Sequence, residues 1–335
     1  MNQLGFVVIG RNEGERLVRC LKSLRSQCPD TSPIVYVDSG STDGSVEFAK
    51  SIGANVVSLD LSQPFTMARG RNAGLKCLQQ VYPGIKYIQF LDGDCELLPG
   101  WVDQAIRVIE SDDSLAIVCG RRRERFPEKS IYNLLADMEW NTPIGEAKAC
   151  GGDALIRMAA ILDVNGYTPT MICGEEPEMC IRLRCRGWKI KRIAVDMTKH
   201  DMAMYHFNQW WKRMTRAGWS VAEGFDIHGK TDERYMAKEC RSGWLWGGIA
   251  PIIAMTMAWP SYGISLIILL AYPCLGYRIY RYRREYGDSI RESYIYAFFC
   301  TLSKFPQLFG QIRYWLNHIT KQPAKIIEYK KAGDI

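Results

Sequence analysis

The sequence predicts an α/β protein with a mixed, mostly parallel sheet flanked by helices, followed by a C-terminal helical region associated with a membrane. In the N-terminal half, short apolar segments alternate with segments of helical spacing. Strands that alternate with helices form parallel sheets with right-handed crossovers. Farther on, residues 242–277 contain no Asp, Glu, Lys or Arg, a run about twice the ~18 residues that a spanning helix needs.

The composition is that of an ordinary globular protein. The 335 residues, 47% of them hydrophobic and 24% charged, suffice for a full core. The twelve cysteines lack the paired spacing of a metal site, which favours reduced thiols in the cytosol over a disulfide scaffold. No basic segment followed by a long apolar run opens the chain, so no signal peptide is predicted.

Polar side chains follow three of the predicted strands. Strands are predicted at residues 4–9, 34–37, 55–59, 87–91 and 190–197, and helices at 15–26 and 45–52. In a parallel sheet, ligands bind beyond the carboxyl ends of the strands. At that edge we expect these polar residues to meet: Asn12, Glu13, Asp38, Asp43, Asp92 and Asp94.

The segment Asp92-Gly93-Asp94 directly follows the apolar strand at 87–91. Two carboxylates that flank a glycine can hold Mg²⁺ or Mn²⁺ through oxygen ligands, and such an ion usually also binds a diphosphate. The alternative is a plain polar turn, because Asp-Gly is common in turns.

Two other loops have the composition of a nucleotide site. Asp38, at a strand end, is placed to accept hydrogen bonds from a nucleobase edge or a ribose hydroxyl, although its loop could simply cap the next helix. Arg69, Arg71 and Asn72 stand at the start of a helix, where the helix dipole disfavours cations. A bound diphosphate would resolve that conflict.

Four segments in this order, VVIGRNEGERL, VDSGSTDGS, ARGRNAGL and FLDGDCELLPGW, resemble the nucleotide-sugar half of family 2 glycosyltransferases of the GT-A fold. The resemblance covers residues 4–200. It implies that Asn12, Glu13 and Asp38 bind the nucleoside, with Asp43 less clearly matched. It also implies that Asp92-Gly93-Asp94 is the DxD element, in which Asp94 is the direct ligand of the metal.

The acceptor half resembles the same family. Gly151, Gly152 and Asp153 match a segment that lines the donor-sugar and acceptor pocket, although a glycine-rich turn is the alternative. Glu176 stands where the family has its general base, usually Asp, and the longer side chain leaves Glu175 as a second candidate. Glu178 is expected to cap the helix or to pair with Arg182 at i+4.

His200 follows the predicted strand at 190–197, where many relatives add a third contact to the metal or the phosphate. A structural surface histidine is the alternative. Residues 224–231 fit the pattern GxxxxGKT of a phosphate loop, which must follow a buried strand. Because the upstream residues 208–223 have helical spacing, we do not predict such a loop here.

The C-terminal half predicts a helical hairpin in the membrane. Pro251, Pro260 and Pro273 interrupt the uncharged run, and a turn is expected near Trp259-Pro260. Positive residues on both sides place both ends in the cytosol; they are Lys238, Arg241, Arg278, Arg281, Arg283 and Arg284. A shallow re-entrant pair and two full crossings remain open, as does a buried hairpin in a soluble domain. Residues 290–316 predict one or two amphipathic helices at the interface.

The predicted domains are a GT-A domain at 1–205, a helical connector at 206–241, the hairpin with amphipathic helices at 242–320 and a basic tail at 321–335. The predicted function is a metal-dependent inverting glycosyltransferase at the cytoplasmic face of the membrane. Its expected partners are a nucleotide-sugar donor, preferably a UDP-sugar, and a lipid-linked acceptor of surface polysaccharide or glycolipid synthesis. No nucleic-acid partner is expected, and the oligomeric state is open.

Two alternative functions compete with this one. A sugar-1-phosphate nucleotidyltransferase would carry a glycine-rich loop with Arg or Lys after the first strand, and GRNEGE contains one Arg. A catalytically silent membrane scaffold would be expected to have lost its carboxylates, whereas Asp38, Asp92, Asp94, Glu175 and Glu176 are all present.

Overall fold

The computed structural model describes residues 3–28, 31–322 and 326–328. These residues form two compact units, the first from residues 3–127 and 139–203 and the second from residues 128–138 and from 204 onward. The predicted boundary at residue 205 lies close to this division, and residues 128–138 group with the C-terminal helices. Most of the predicted basic tail at 321–335 lies outside the described residues.

The first unit is built on a mixed sheet. Its strands are β1 Leu4–Gly10, β2 Ile34–Asp38, β3 Asn55–Ser58, β4 Tyr87–Asp92, β5 Cys95–Leu97, β6 Leu115–Glu124, β7 Gly145–Glu146, β8 Ala154–Arg157 and β9 Lys189–His200. The order is β3-β2-β1-β4-β8-β6-β9-β5, and β7 pairs with β9. Of these described strands, β5, β7 and β8 run against the other six. The predicted mostly parallel sheet is confirmed.

Helices cover both faces of this sheet. They are α1 Glu15–Gln27, α2 Ser45–Ser51, α3 Met67–Val81, α4 Trp101–Glu110, α6 Met158–Asp163 and α7 Glu175–Cys185, with α5 Ile131–Trp140 between α4 and α6 in the chain. Because side chains alternate along a strand, Val7 and Ile9 pack into one buried layer, and Phe6 and Val8 pack into the other. All twelve cysteines are free thiols.

The polar ends of β1, β2 and β4 meet at one edge. In the parallel register Gly10 lies opposite Asp38, and Ile9 lies opposite Asp92. The prediction that the loops after these strands converge is therefore confirmed. The loops that follow these three strands therefore all begin at the same edge of the sheet.

Strand β6 is irregular where it pairs with β9. The register shifts between Cys119 and Arg121 and again between Arg121 and Arg122. A side chain on Gly120 would place its Cβ 2.6 Å from the Val195 carbonyl oxygen, so only glycine fits here. Such irregularities bend a strand and redirect its side chains, and Arg122 is the residue that follows.

The second unit is helical. Besides most of α5, it contains α8 Phe207–His228, α9 Ala237–Trp244, a π-helical segment Leu245–Ile249, α10 Ala250–Thr256, a 3-10 helix Ile264–Leu270, α11 Ala271–Glu285, α12 Ile290–Leu302 and α13 Lys304–Thr320. Residues 224–228 of the GxxxxGKT segment continue α8, which confirms that they do not follow a strand. The prediction of one or two helices at 290–316 is confirmed as two.

The uncharged run folds as a hairpin. Its turn occupies residues 257–263, where Trp259 is 93% and Tyr262 97% exposed, and the Ser265 hydroxyl donates a hydrogen bond to the Ala254 carbonyl across the arms. The predicted turn near Trp259-Pro260 is confirmed. This exposure contradicts the alternative of a buried core hairpin.

One helix among the described residues, Ile264–Glu285, is long and apolar enough to cross a membrane. A re-entrant pair and two full crossings both stay predictions. One predicted positive flank also needs correction, because Arg283 is buried and its guanidinium pairs with the Asp288 carboxylate.

Candidate functional site

The centre of the site is the guanidinium group of Arg71, which is 1% exposed. Its Nη1 donates to Glu175 Oε1 at 2.6 Å, and its Nη2 lies 2.7 Å from Asp92 Oδ1 and 3.0 Å from Glu176 Oε1. Burial lowers the pKa of Arg71, but Glu176, Asp92 and Glu175 outweigh burial and raise this pKa well above its ordinary value. The cation thus joins the end of β4 to the start of α7.

The two predicted base candidates differ in exposure. The Glu175 side chain is 0% exposed, whereas that of Glu176 is 14% exposed. A reacting hydroxyl must reach a general base within hydrogen-bond distance, so Glu176 is the better placed of the two. Glu178 receives a bidentate pair from Arg182, at 2.8 and 2.7 Å, which confirms the predicted i+4 pairing.

Two residues predicted to bind the nucleotide sugar make hydrogen bonds to the protein's own backbone, and their role at the donor stays a prediction. Arg69 donates from Nη1 to the carbonyl oxygens of Gln63 and Pro64, at 3.0 and 2.6 Å. Asn72 pairs through both atoms of its amide with the backbone of Tyr167, at 2.7 and 2.9 Å. The unfavourable position of the Arg69 cation near a helix start is therefore relieved by backbone carbonyl oxygens.

Asp153, predicted to line the pocket, is fully buried. Its Oδ1 accepts a hydrogen bond from the Asp92 backbone N–H at 3.2 Å, and its Oδ2 accepts one from the Thr198 hydroxyl at 2.7 Å. Asp153 therefore fixes the backbone where β4 ends.

Arg122 and Trp140 were missed at the sequence level. Arg122 Nη2 lies 3.0 Å from Asp153 Oδ2 and 3.5 Å from Asp92 Oδ2. Its guanidinium stands 5.4 Å from the centre of the Trp140 ring, which meets the His200 ring edge-on at 4.9 Å. Nothing local in GRRRERF singles out Arg122, because its position depends on the irregular pairing of β6 with β9.

Asp94 and His200 form the candidate metal centre. His200 Nε2 lies 3.3 Å from Asp94 Oδ2, and the ligand atoms of Asp94, Cys95 and His200 all lie within 4.8 Å of one another. Burial, and then the carboxylate of Asp153, raise the pKa of the Cys95 thiol well above its ordinary value, which favours the protonated thiol. A carboxylate beside an imidazole fits Mn²⁺ or Mg²⁺ with further oxygen ligands.

The glycines near the site differ in how closely other atoms approach them. A Cβ on Gly152 would lie 2.5 Å from Arg71 Nη2 and 2.8 Å from Asp92 Oδ2, whereas a Cβ on Gly151 would meet only Arg122 Nη2, at 3.9 Å. A Cβ on Gly93 would lie 3.1 Å from the Ile9 carbonyl oxygen. Gly152 therefore lets the Arg71–Asp92 pair form, and Gly151 is exposed.

The predicted nucleoside loop is held together by its own side chains. Asp38 is buried and accepts hydrogen bonds from the backbone N–H groups of Gly40 and Ser41. Asn12, at φ +53°, accepts one from the Thr42 backbone N–H at 2.7 Å. Asp38 thus holds the turn of its own loop and does not cap the next helix, whose N-cap is Gly44; its contact with the nucleoside stays a prediction.

Asp43 and Glu13 also act within this loop. Asp43 Oδ2 accepts from the Gly14 backbone N–H at 2.8 Å, and Glu13 Oε2 lies 2.9 Å from Arg16 Nε. Burial raises the pKa of Asp43, but hydrogen bonds from Ser45 and Gly14 outweigh burial and lower it. Asp43 therefore ties the loop after β1 to the loop after β2.

Comparison with known proteins supports a shared family. Residues 6–157 match the profile of the family described as Glycosyl transferase family 2. The uncharacterized glycosyltransferase YibD of Escherichia coli (strain K12) is 30% identical over 114 residues. That match covers 33% of this chain and 32% of the relative, so the chain spans about a third of that relative's length.

Two solved structures are similar to this chain. Mannosyltransferase PcManGT from Pyrobaculum calidifontis, in complex with GDP-Man and Mn²⁺, has a TM-score of 0.57 at 13% identity, over 96% of this chain and 88% of that one. TarS of S. aureus has a TM-score of 0.47 at 14% identity, over 75% of this chain and 48% of that one. The first likeness shows the GT-A-like fold.

Proposed function

We propose that the protein is a metal-dependent, inverting glycosyltransferase, because residues 6–157 match the model of the family described as Glycosyl transferase family 2. A nucleotide-sugar donor, with a UDP-sugar as the first choice, binds beyond the strand ends of β1, β2 and β4. The sugar passes to a hydroxyl of a lipid-linked acceptor in surface polysaccharide or glycolipid synthesis.

The observation that carries this proposal is the position of Arg71 between Asp92, Glu175 and Glu176. One guanidinium group brings the carboxylate after β4 and the carboxylates of α7 into one site. A nucleotide diphosphate at the strand ends and an acceptor beside α7 would then lie next to each other. Such positioning lowers the barrier of a two-substrate reaction.

The residues take separate roles in this proposal. Glu176 removes the proton from the acceptor hydroxyl, which attacks the anomeric carbon opposite the leaving group and inverts it. Asp94 and His200, with Asp92, would hold Mg²⁺ or Mn²⁺, which when bound supplies positive charge against the diphosphate leaving group. Arg71 keeps the carboxylates in place, Gly152 leaves room for the Arg71–Asp92 pair, and Gly151 leaves space for the sugar.

The loops beside this centre complete the proposed donor site. Asn12, Glu13, Asp38 and Asp43 shape the surface next to the nucleoside through the contacts that they make with their own loops. Gly93 lets the end of β4 pass close to the Ile9 carbonyl oxygen.

Membrane association is the second part of the proposal. The exposed hairpin around Trp259 and Tyr262 offers a surface that water solvates poorly. Because residues 242–277 carry no charge and both flanks are basic, the hairpin would enter from the cytoplasmic face and return to it.

The activity is tested by hydrolysis of a panel of nucleotide sugars with Mn²⁺, in the wild type and in Asp94→Asn. We expect slow release of one nucleoside diphosphate that is lost with EDTA and in Asp94→Asn. Asp103→Asn, an exposed acid on α4, is the matched control and should behave as wild type. Metal-independent release, or unchanged turnover in Asp94→Asn, would contradict the metal role.

The base is tested by comparing Glu176→Gln with Glu175→Gln. Glu176→Gln should lower kcat by about 10²–10⁴-fold, the usual contribution of a general base, with little change in donor affinity. If Glu175→Gln does this while circular dichroism shows it folded, Glu175 is the base. If neither variant lowers kcat, the proposed mechanism fails.

A further inference from the structure

A groove between α11 and α12 shares no residue with the site described above. Its volume is about 460 Å³, within the range of sites that bind small molecules. Aromatic pairs mark its two ends. The ring centres of Tyr280 and Tyr294 are 4.6 Å apart at one end, and Tyr272 stacks on Phe305 at 6.1 Å at the other.

The walls of the groove are apolar and reach the outer surface of the unit. They include Tyr272, Gly276, Tyr280, Tyr294, Phe298 and Thr301. Tyr294 is 63% and Phe298 62% exposed, so the groove opens outward. Because α11 continues the apolar segment that begins at Ile264, the groove is continuous with the exposed surface of the hairpin.

The end of the groove at Tyr280 and Tyr294 is basic. Arg284 follows Tyr280 by four residues and Arg291 precedes Tyr294 by three, so each lies one turn farther along the same helix face. Both arginines are exposed.

The acidic groups near this end are already engaged. Asp288 pairs with Arg283, and Glu285 lies 3.2 Å from Arg281. Glu292 accepts from the Ser289 backbone N–H at 2.8 Å in a capping box. The four arginines at positions 281, 283, 284 and 291 outnumber these three acids, so this end keeps a net positive charge. Arg284 Nη1 also donates a hydrogen bond to the Asp288 carbonyl oxygen. The other end of the groove, at Tyr272, is apolar: it lies on the side of Ile267 and Leu270, each 63% exposed.

We propose that this groove binds one hydrocarbon chain of an anionic membrane phospholipid, with the lipid phosphate beside Arg284 and Arg291. A chain between the two aromatic pairs runs along about 12 Å of α11, eight residues at ~1.5 Å each. Guanidinium groups bind phosphate well. The proposal rests on the membrane association proposed above and does not depend on sugar transfer.

The test uses a phosphatidylglycerol analogue with a photoreactive group in its acyl chain, added to the full chain in detergent micelles. Labelled peptides are mapped by mass spectrometry. In the wild type, label is expected on α11 and α12. Gly276→Leu should fill the groove and abolish this label.

Gly276→Ala is the matched control for Gly276→Leu. Its Cβ would lie 3.6 Å from the Thr301 hydroxyl, an ordinary contact, so the groove keeps its space and the label. Both substitutions favour a helix over glycine, and circular dichroism confirms folding. Equal labelling of Gly276→Leu and wild type would overturn the proposal.

A second pair of variants does not depend on Gly276. Phe298→Ser should weaken groove labelling, whereas Phe309→Ser, 56% exposed on α13, should not. Equal labelling of these two variants would also count against the groove.

The role of the phosphate is tested with a diacylglycerol analogue that carries the same photoreactive chain. Wild type should prefer the phosphatidylglycerol analogue, and Arg284→Gln with Arg291→Gln should lose that preference. Arg278→Gln, an exposed arginine outside the lining, should keep it. A preference that survives the double substitution would refute the site at the two arginines.

Flotation of the full chain with vesicles of equal parts phosphatidylglycerol and phosphatidylcholine tests membrane association separately. A chain that is labelled in micelles but does not float would refute the proposed membrane association, and with it a membrane phospholipid as the occupant of the groove. A chain that floats but is not labelled at α11 and α12 would refute the groove alone. Loss of glycosyl transfer would leave both results unaffected.

Discussion

In the first unit, Arg71, Asp153 and Glu175 are at most 1% exposed, whereas in the second unit Trp259 and Tyr262 are 93% and 97% exposed. Buried charges are tolerated when each has a partner, and removing one partner leaves an uncompensated charge. Exposed apolar side chains stand out when they lie together, and such surfaces bind partners other than water. The stability of the first unit therefore depends on ion pairs in its interior. The second unit instead presents an apolar surface to its surroundings.

Among the substitutions that test this contrast, Arg71→Met is expected to lower the free energy of unfolding the most. It leaves the carboxylates of Asp92 and Glu175 without their cation, so we expect a loss of about 3–5 kcal/mol in the free energy of unfolding. Urea unfolding followed by circular dichroism measures this loss. Lys76→Met, an exposed cation on the same helix, should change stability by no more than about 0.5 kcal/mol. Similar small losses in both variants would mean that the buried cluster does not need its cation.

A smaller effect is expected from Gly152→Ala. The added methyl group would collide with the Arg71–Asp92 pair, and overpacking of this kind costs about 1–3 kcal/mol. Gly151→Ala, whose Cβ has room, is the neighbouring control in the same unfolding experiment. If both substitutions have the same effect, the close approach at Gly152 does not govern the site.

The smallest effect on stability is expected in the second unit, from Trp259→Ser. Because this side chain has few protein contacts to lose, the free energy of unfolding should change by about 0.5 kcal/mol or less. Vesicle binding should nevertheless weaken by about 10–150-fold, since burying a large apolar side chain is worth about 1.5–3 kcal/mol. Leu61→Ser, 62% exposed in the first unit, should bind vesicles as wild type does. Strong destabilisation by Trp259→Ser would contradict the contrast between the units.

The sequence predicted correctly those parts of the fold that local patterns determine. The strands ending at Gly10, Asp38 and Asp92 follow from runs of apolar and β-branched residues, and their meeting follows from the parallel sheet. The hairpin follows from a run without charge that proline interrupts. These features need only short-range information.

The contacts that the sequence did not predict depend on how separate segments fold together. Arg69 donates hydrogen bonds to backbone oxygens within residues 60–64, and Asn72 donates one to the Tyr167 carbonyl oxygen, contacts that no local pattern indicates; a phosphate site at these residues stays a prediction. Arg122 was missed because the shifts between β6 and β9 place it beside Asp153. No periodicity in a single segment predicts such a contact.

The cluster around Arg71 also has a kinetic consequence. Four carboxylates, Asp92, Asp153, Glu175 and Glu176, surround two guanidinium groups, which leaves this edge of the sheet negative. A nucleoside diphosphate arriving without a cation would be repelled, and its association would speed up as salt screens the field. A diphosphate that arrives with Mg²⁺ or Mn²⁺ already bound would meet a much weaker barrier. The charge of the protein thus favours a fixed order of arrival, in which donor and cation enter together.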